Sequence, residues 1–292
     1  MTTRKPAKRF AGFFVCGLAC GSRQRHHRAM SDLSHRFHAS APPWQGMRDA
    51  FAEAVAIDAS DLADLATRGV LVVVFDLDGW RRFGSGALAL LDATEAARAQ
   101  RQRDPRNRDA LVSTYALHRL LLSRVLKQAP AEVDITRDEK GCPRLPDDAW
   151  HTSLSHAAGR AVFAVSAAGP VGIDLEPVDR AQDMDSILER VVHRDERGAL
   201  DGLPANARGH ALLDLWVRKE ALLKAAGIGL ECEMEMFTAP MGVPLPLPGE
   251  RFAGREASLH MVDAGPDWAC AAACPPGTPI VRVLAKEPRA AS

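Results

Sequence analysis

Three short stretches carry residue types that can do chemistry. In Gly172-Ile173-Asp174-Leu175-Glu176 the two acids stand two apart in a run with strand character, so both carboxylates project from one face. Oxygen ligands in that arrangement suit a hard cation such as Mg²⁺. A solvated edge strand would give the same letters, but apolar Val171 and Ile173 point to acids emerging at the end of a buried strand. Further on, the run from Trp216 to Ala226 reads as a helix closed by Gly227, with Glu220 and Lys224 four apart on one face. Such a pair is usually an exposed helix-stabilising contact worth a few tenths of a kcal/mol. The apolar flank of Leu215, Ala221, Leu222 and Ala225, and the extra cation Lys219, argue for a less ordinary role. Ser153-Leu154-Ser155-His156 closes a short strand, where Ser155 and His156 can hydrogen-bond a phosphate; no G-x-S-x-G elbow makes this serine a hydrolase nucleophile.

These residues need elements to position them. Val70–Leu77 is a continuous β-branched run, as expected of a strand buried on both faces. A helix is predicted at Leu91–Arg101, an interruption at Arg103-Asp104-Pro105, and a second helix from Asn107 to Lys127 with Leu111, Tyr115, Leu122 and Val125 on its apolar face. Gly141, Pro143 and Pro146 mark a loop, and short strands follow at Thr152–Ser155 and Ala161–Ser166 before a Gly169-Pro170 break. The pattern then returns. VFDLD at Val74 is echoed by GIDLE at Gly172, ALVSTYALHRLLLSR at Ala110 by ALLDLWVRKEALLKA at Ala211, and GRAVFAVSA at Gly159 loosely by PDWACAAAC at Pro266. The echoes predict an α+β pseudo-dimer of two similar half-domains with the active site at their interface. The expected division is an N-terminal extension over 1–62, half-domains over 63–168 and 169–286, and a tail over 287–292.

Composition narrows the function classes. With 292 residues, 47% hydrophobic and 25% charged, the chain reads as an ordinary globular protein. Lys+Arg and Asp+Glu are both 37, so no basic excess argues for nucleic acid. Eight basic residues and one acid fall within residues 1–40, which leaves the rest mildly acidic. Six cysteines without a Cys-x-x-Cys pair read as reduced thiols, neither a disulfide framework nor a zinc site. The start superficially resembles a secretory signal, but its apolar run from Phe10 to Ala19 is short and no small-x-small cleavage site follows. We read it instead as lying upstream of a functional start near Met30 or Met47, and a chain starting at Met47 is expected to stay soluble and active. No later stretch is long and apolar enough to span a bilayer. The expectation is a cytoplasmic monomer with no nucleic-acid or membrane partner.

In this order, SLSHAAGRAVFAVS, VGIDLE and WVRKEALLKAAGIGL resemble the 4′-phosphopantetheinyl transferases of the surfactin-synthetase-activating type. LLDATEAARAQRQRDPRNRDALVSTYALHRLLLSRVL looks like the family's first-half helices, and GCPRL sits where the family has a Gly-Lys-Pro loop. The resemblance covers about residues 68 to 275. It implies Mg²⁺, CoA as substrate, and transfer of its phosphopantetheine arm to a serine of an apo acyl or peptidyl carrier protein, in fatty-acid, polyketide or non-ribosomal peptide synthesis. By the same resemblance, Asp174, Glu176 and Glu220 would hold the metal, and Glu220 and Lys224 would act in catalysis, Glu220 as ligand or as general base. Arg119, Ser155, His156, Lys219 and Lys224 would contact CoA. Cys142 replaces the family's usual loop cation, so that this contact is either lost or supplied by Lys140 or Arg144, and Tyr115 stands where relatives are often basic.

Two alternatives belong to other classes. A non-catalytic carrier-binding module conflicts with three intact acids. Val72–Trp80 is close to the hhhhDxDGT motif of haloacid-dehalogenase-like phosphatases, with Asp76 as nucleophile, but Trp80 replaces the threonine and the internal echo accounts for VFDLD. Asp76→Asn is therefore expected to leave phosphopantetheinyl transfer within a few-fold of wild type, measured by mass change of an apo-carrier. Phosphate-ester hydrolysis in the wild type that vanishes in this variant would support the phosphatase instead.

Overall fold

The computed structural model describes residues 41–137, 142–229 and 232–289. Chain order begins with helices α1 (Gln45–Val55) and α2 (Ala59–Arg68), strand β1 (Val70–Asp76), and helices α3 (Gly84–Leu90), α4 (Ala93–Gln100) and α5 (Pro105–Leu126). Strands β2 (Thr136–Arg137), β3 (Pro143–Arg144), β4 (His151–Ala157), β5 (Arg160–Ser166) and β6 (Gly172–Pro177) follow. Then come α6 (Leu188–Val191), α7 (Arg194–Asp201), α8 (Ala205–Ala226), β7 (Leu245–Pro246), β8 (Glu256–Met261), β9 (Trp268–Cys274) and β10 (Ile280–Leu284). The strand and helix expectations hold to within about two residues in most places, the usual uncertainty of element ends.

The architecture is mixed α+β, with two four-stranded sheets ordered β10-β1-β5-β4 and β6-β9-β8-β7. Alternation along β1 explains how they stack. Leu71, Val73 and Phe75 point into a core shared with α1 to α5, whereas Val70, Val72 and Val74 join Val162, Ala164, Ile173, Leu175, Cys270 and Ala272 in a second core between the sheets. A third core, built on Leu212, Leu223, Ala271 and Ala273, lies between the second sheet and α8. Each sheet is therefore apolar on both faces, which is why β1 reads as an unbroken β-branched run.

The two long helices have clear local causes. Asp104 caps α5 by accepting from the Arg106 amide, Pro105 opens it without losing an internal bond, and Lys127 ends it in the left-handed region at φ 56°. Gly227 ends α8 at φ 71°, as its position predicts.

Two expected boundaries are corrected. Residues 45–62 are not an extension: Met47, Phe51, Ala54, Val55 and Leu62 are buried in the first core. A start at Met47 would remove the beginning of α1 together with Trp44, which packs on that core, so the expectation for that truncation is withdrawn. The part of the extension at residues 1–40 lies outside the described residues. Nor does a division at 168/169 separate the sheets, because β10 pairs parallel with β1, Val70 to Ile280 through Val74 to Leu284. Of the expected tail, Pro288 and Arg289 accept hydrogen bonds from Arg82, so the chain end returns to the first sheet's side.

β6 touches α8 at a position where only glycine fits: a Cβ on Gly172 would lie 1.9 Å from the Ala221 carbonyl oxygen and 2.5 Å from the Ala225 amide nitrogen. Gly172→Ala should force strand and helix apart and cost about 1–3 kcal/mol or more, as overpacking does. Urea unfolding should show it as a lower midpoint, and an unchanged midpoint would contradict the contact.

Candidate active site

The edges of the two sheets meet where the strand acids lie. β4 closes one sheet and β6 the other. Side chains of β4 reach across: Ser153 Oγ accepts from the Ile173 amide at 3.2 Å, and Ser155 Oγ donates to Asp174 Oδ1 at 2.9 Å. Because Ile173 and Leu175 point into the core between the sheets, Asp174 points the other way, toward α8, where Lys224 Nζ donates to the same Oδ1 at 2.6 Å. Glu220, one turn earlier on α8, is buried beside them. The structure thus brings together Ser155, Asp174, Glu220 and Lys224.

Charge is not balanced there. Asp174 Oδ2 and Glu220 Oε1 are buried carboxylate oxygens without a hydrogen-bond donor. Burial, followed by the Asp174 charge, pushes the Glu220 carboxyl up to about 8, with Lys224 pulling the other way. Burial also pushes Glu176 up, again with Asp174 adding, while Arg180 opposes. Lys224 is raised despite burial, because Asp174, Glu220 and Glu176 all favour its charged form. A buried site with more carboxylates than cations, and with two acid oxygens unsatisfied, fits a bound divalent cation. The expected triad is nevertheless not assembled: Glu176 is ion-paired with Arg180, and among the described residues no three His, Cys, Asp or Glu side chains converge into a ready cluster.

Glu220 and Lys224 line a cavity of about 170 Å³ together with Cys142, Arg144, Ser153 and Phe252. Arg144 enters by lying against the end of α8, donating to the Gly227 carbonyl at 3.3 Å. His156 is exposed on the β4 face it shares with Thr152 and Leu154, and the protein around it, then Lys224, Arg98 and Arg137, push its imidazole down to about 4.

Two expected CoA contacts are corrected. Lys219 is fully buried away from the cavity: its ammonium donates to the carbonyls of Val191 at 2.7 Å, Met234 at 2.9 Å and Phe237 at 2.6 Å, and pairs with Glu196 at 2.7 Å. Adjacent residues on a helix do not face the same way, so Lys219 cannot share Glu220's direction. Arg119 is likewise committed inside the first core, to the Val133 carbonyl at 2.6 Å and to Glu95 at 3.0 Å. Lys140 lies outside the described residues. Sequence reasoning missed Ser153 and Arg180. Ser153 shares a strand face with Ser155, and Arg180 sits four residues after Glu176, so both left a trace in spacing. Tyr115 is buried beneath the Arg137 guanidinium, 4.1 Å from its ring centre, which leaves it no part in the cavity. Asp76 pairs with Arg160 at a strand end, and Trp80 after it is buried in the core, so the phosphatase-like motif has a structural explanation.

Residues 170–271 match the family model of the 4′-phosphopantetheinyl transferase superfamily. The chain is 31% identical over 146 residues to the 4′-phosphopantetheinyl transferase HetI of a Nostoc species, covering 49% of this chain and 62% of that protein. It is 28% identical over 149 residues to a putative 4′-phosphopantetheinyl transferase, slr0495, of a Synechocystis species, covering 50% and 60%. It is 39% identical over 93 residues to the 4′-phosphopantetheinyl transferase psf-1 of Bacillus pumilus, covering 31% and 37%. The matches thus span less than two thirds of those relatives. The matched segment contains Asp174, Glu176, Glu220 and Lys224, so the part of the chain that carries the candidate site is similar to the 4′-phosphopantetheinyl transferase superfamily.

Proposed function

We propose that the protein transfers the 4′-phosphopantetheine group of CoA to a serine of an apo acyl or peptidyl carrier protein, releasing adenosine 3′,5′-bisphosphate, in an Mg²⁺-dependent reaction. The observation that carries this reading is the pair of buried, unsatisfied carboxylate oxygens on Asp174 and Glu220 beside Lys224, with Glu220 and Lys224 lining the cavity. Asp174 and Glu220 would hold the metal, and Glu176 would join them by leaving Arg180. A bound Mg²⁺ supplies positive charge to a pyrophosphate that a serine hydroxyl must approach. Lys224, already held at the acids, is placed to stabilise charge growing on the leaving phosphate. Ser155 positions Asp174, and Arg144 supplies a cation to the cavity that Cys142 does not. Glu220 is the second acid available to accept the serine proton. The repeated order of strand, long helix and strand in each part supports a pseudo-dimer by duplication, with the site at the junction.

Incubation with CoA, Mg²⁺ and a panel of apo-carriers, with the products weighed, tests the reaction; no mass gain on any carrier would count against it. Glu220→Gln should lower turnover by roughly 10²–10⁴, the scale of lost metal-assisted charge stabilisation. If Mg²⁺ binding survives while turnover collapses, Glu220 is the proton acceptor, and near wild-type turnover would remove it from the site.

The raised Glu220 pKa also has a signature in metal-free protein. A carboxyl that titrates higher when folded stabilises the fold fully below its unfolded value near 4.5, and that contribution is lost as pH rises to about 8. With a chelator present, unfolding free energy should fall across this window by a few kcal/mol. Glu220→Gln should flatten the fall, and an identical slope in both proteins would refute the assignment.

A further inference from the structure

Glu95 is not among the residues that line the cavity, yet two arginines connect it to the elements of one wall. It sits in the first turn of α4, where it closes a capping box with Asp92, and its side chain is 1% exposed. Each carboxylate oxygen takes a different guanidinium: Oε2 accepts from Arg119 at 3.0 Å and Oε1 from Arg137 at 3.1 Å. Both arginine side chains are 5% exposed. Arg119 in turn donates to the Val133 carbonyl at 2.6 Å, which fixes the chain just before β2. Arg137 is itself a residue of β2, and β2 pairs with β3 through Thr136 to Arg144 and Arg137 to Pro143. The cavity wall is built from that same β3, by Cys142, Pro143, Arg144 and Leu145. One buried carboxylate thus holds β2 and the chain just before it at two points, at Val133 through Arg119 and at Arg137 directly.

We infer that Glu95 is a positioning residue for the substrate cavity: through Arg119 and Arg137 it sets where the β2–β3 segment, and with it Arg144, stands against the end of α8. The inference rests on the reading of the cavity as the CoA site. A short two-stranded ribbon of this kind has little stability of its own, so its place must come from such anchors. Removing the shared anion leaves Arg119 its longer contact to Asp92 at 3.5 Å and takes the Glu95 bond from Arg137, which loosens the hold on β2 without touching Asp174, Glu176, Glu220 or Lys224.

The test compares Glu95→Gln and Arg137→Gln with wild type in the full chain, by hydrogen exchange and by steady-state kinetics with CoA and an apo-carrier. Faster exchange confined to residues 133–145, and a CoA KM raised about tenfold with kcat and carrier KM within about twofold, are expected of both variants. The double variant should show little more than either alone, because the two changes break one link. A folded Glu95→Gln with wild-type exchange in 133–145 and wild-type CoA KM overturns the inference. If Glu95→Gln does not fold, Arg137→Gln, which leaves the Glu95–Arg119 pair in place, decides by the same readouts. A wild-type protein without transfer activity would instead sink the functional reading, while exchange in 133–145 would still report on the anchor.

Discussion

The site depends on confining several carboxylates where water cannot screen them. Asp174 and Glu220 are both buried, Glu176 is close enough to help raise the Glu220 carboxyl, and Lys224 is the cation they share. Like charges brought together in a medium poorer than water repel strongly, and the metal-free protein answers by keeping a proton on Glu220 near neutral pH. A divalent cation would take the place of that proton. The arrangement therefore stores a preference for positive charge.

That confinement is possible because of how the sheets meet. An edge strand normally exposes unpaired backbone groups, and β6 is the edge of its sheet. Here its edge is covered by serine hydroxyls from β4, the edge of the other sheet: Ser153 satisfies a backbone amide, and Ser155 holds the carboxylate one residue on. On the opposite side Gly172 lets α8 approach until backbone meets backbone, which brings Lys224 within reach of Asp174. Small residues at 153, 155 and 172 thus do the positioning, and larger ones carry the charge.

Much of this was legible in the sequence because its signals are local. Strand alternation put Asp174 and Glu176 on one face, and helical spacing put Glu220 and Lys224 on one face of α8. Lys219 was misplaced although the helix period held the answer, since a neighbour of Glu220 points about 100° away from it. Helix α1 was overlooked although Met47, Phe51, Ala54 and Val55 have the spacing of a buried helical face. Arg119 could not be read, because its partners Glu95 and Val133 are brought to it only by packing.

The placement of β10 has a consequence for how the chain is made. The first sheet is completed by residues near the end of the sequence, and those that follow β10 return to α1 through the bond from the Lys286 amide to the Ala54 carbonyl. During synthesis the edge of β1 that faces β10 must wait, with its hydrogen-bonding groups unclaimed, until residues 280–284 have left the ribosome. At about 5–20 residues per second this delay lasts on the order of ten seconds or more, during which β1 is a template for any other strand.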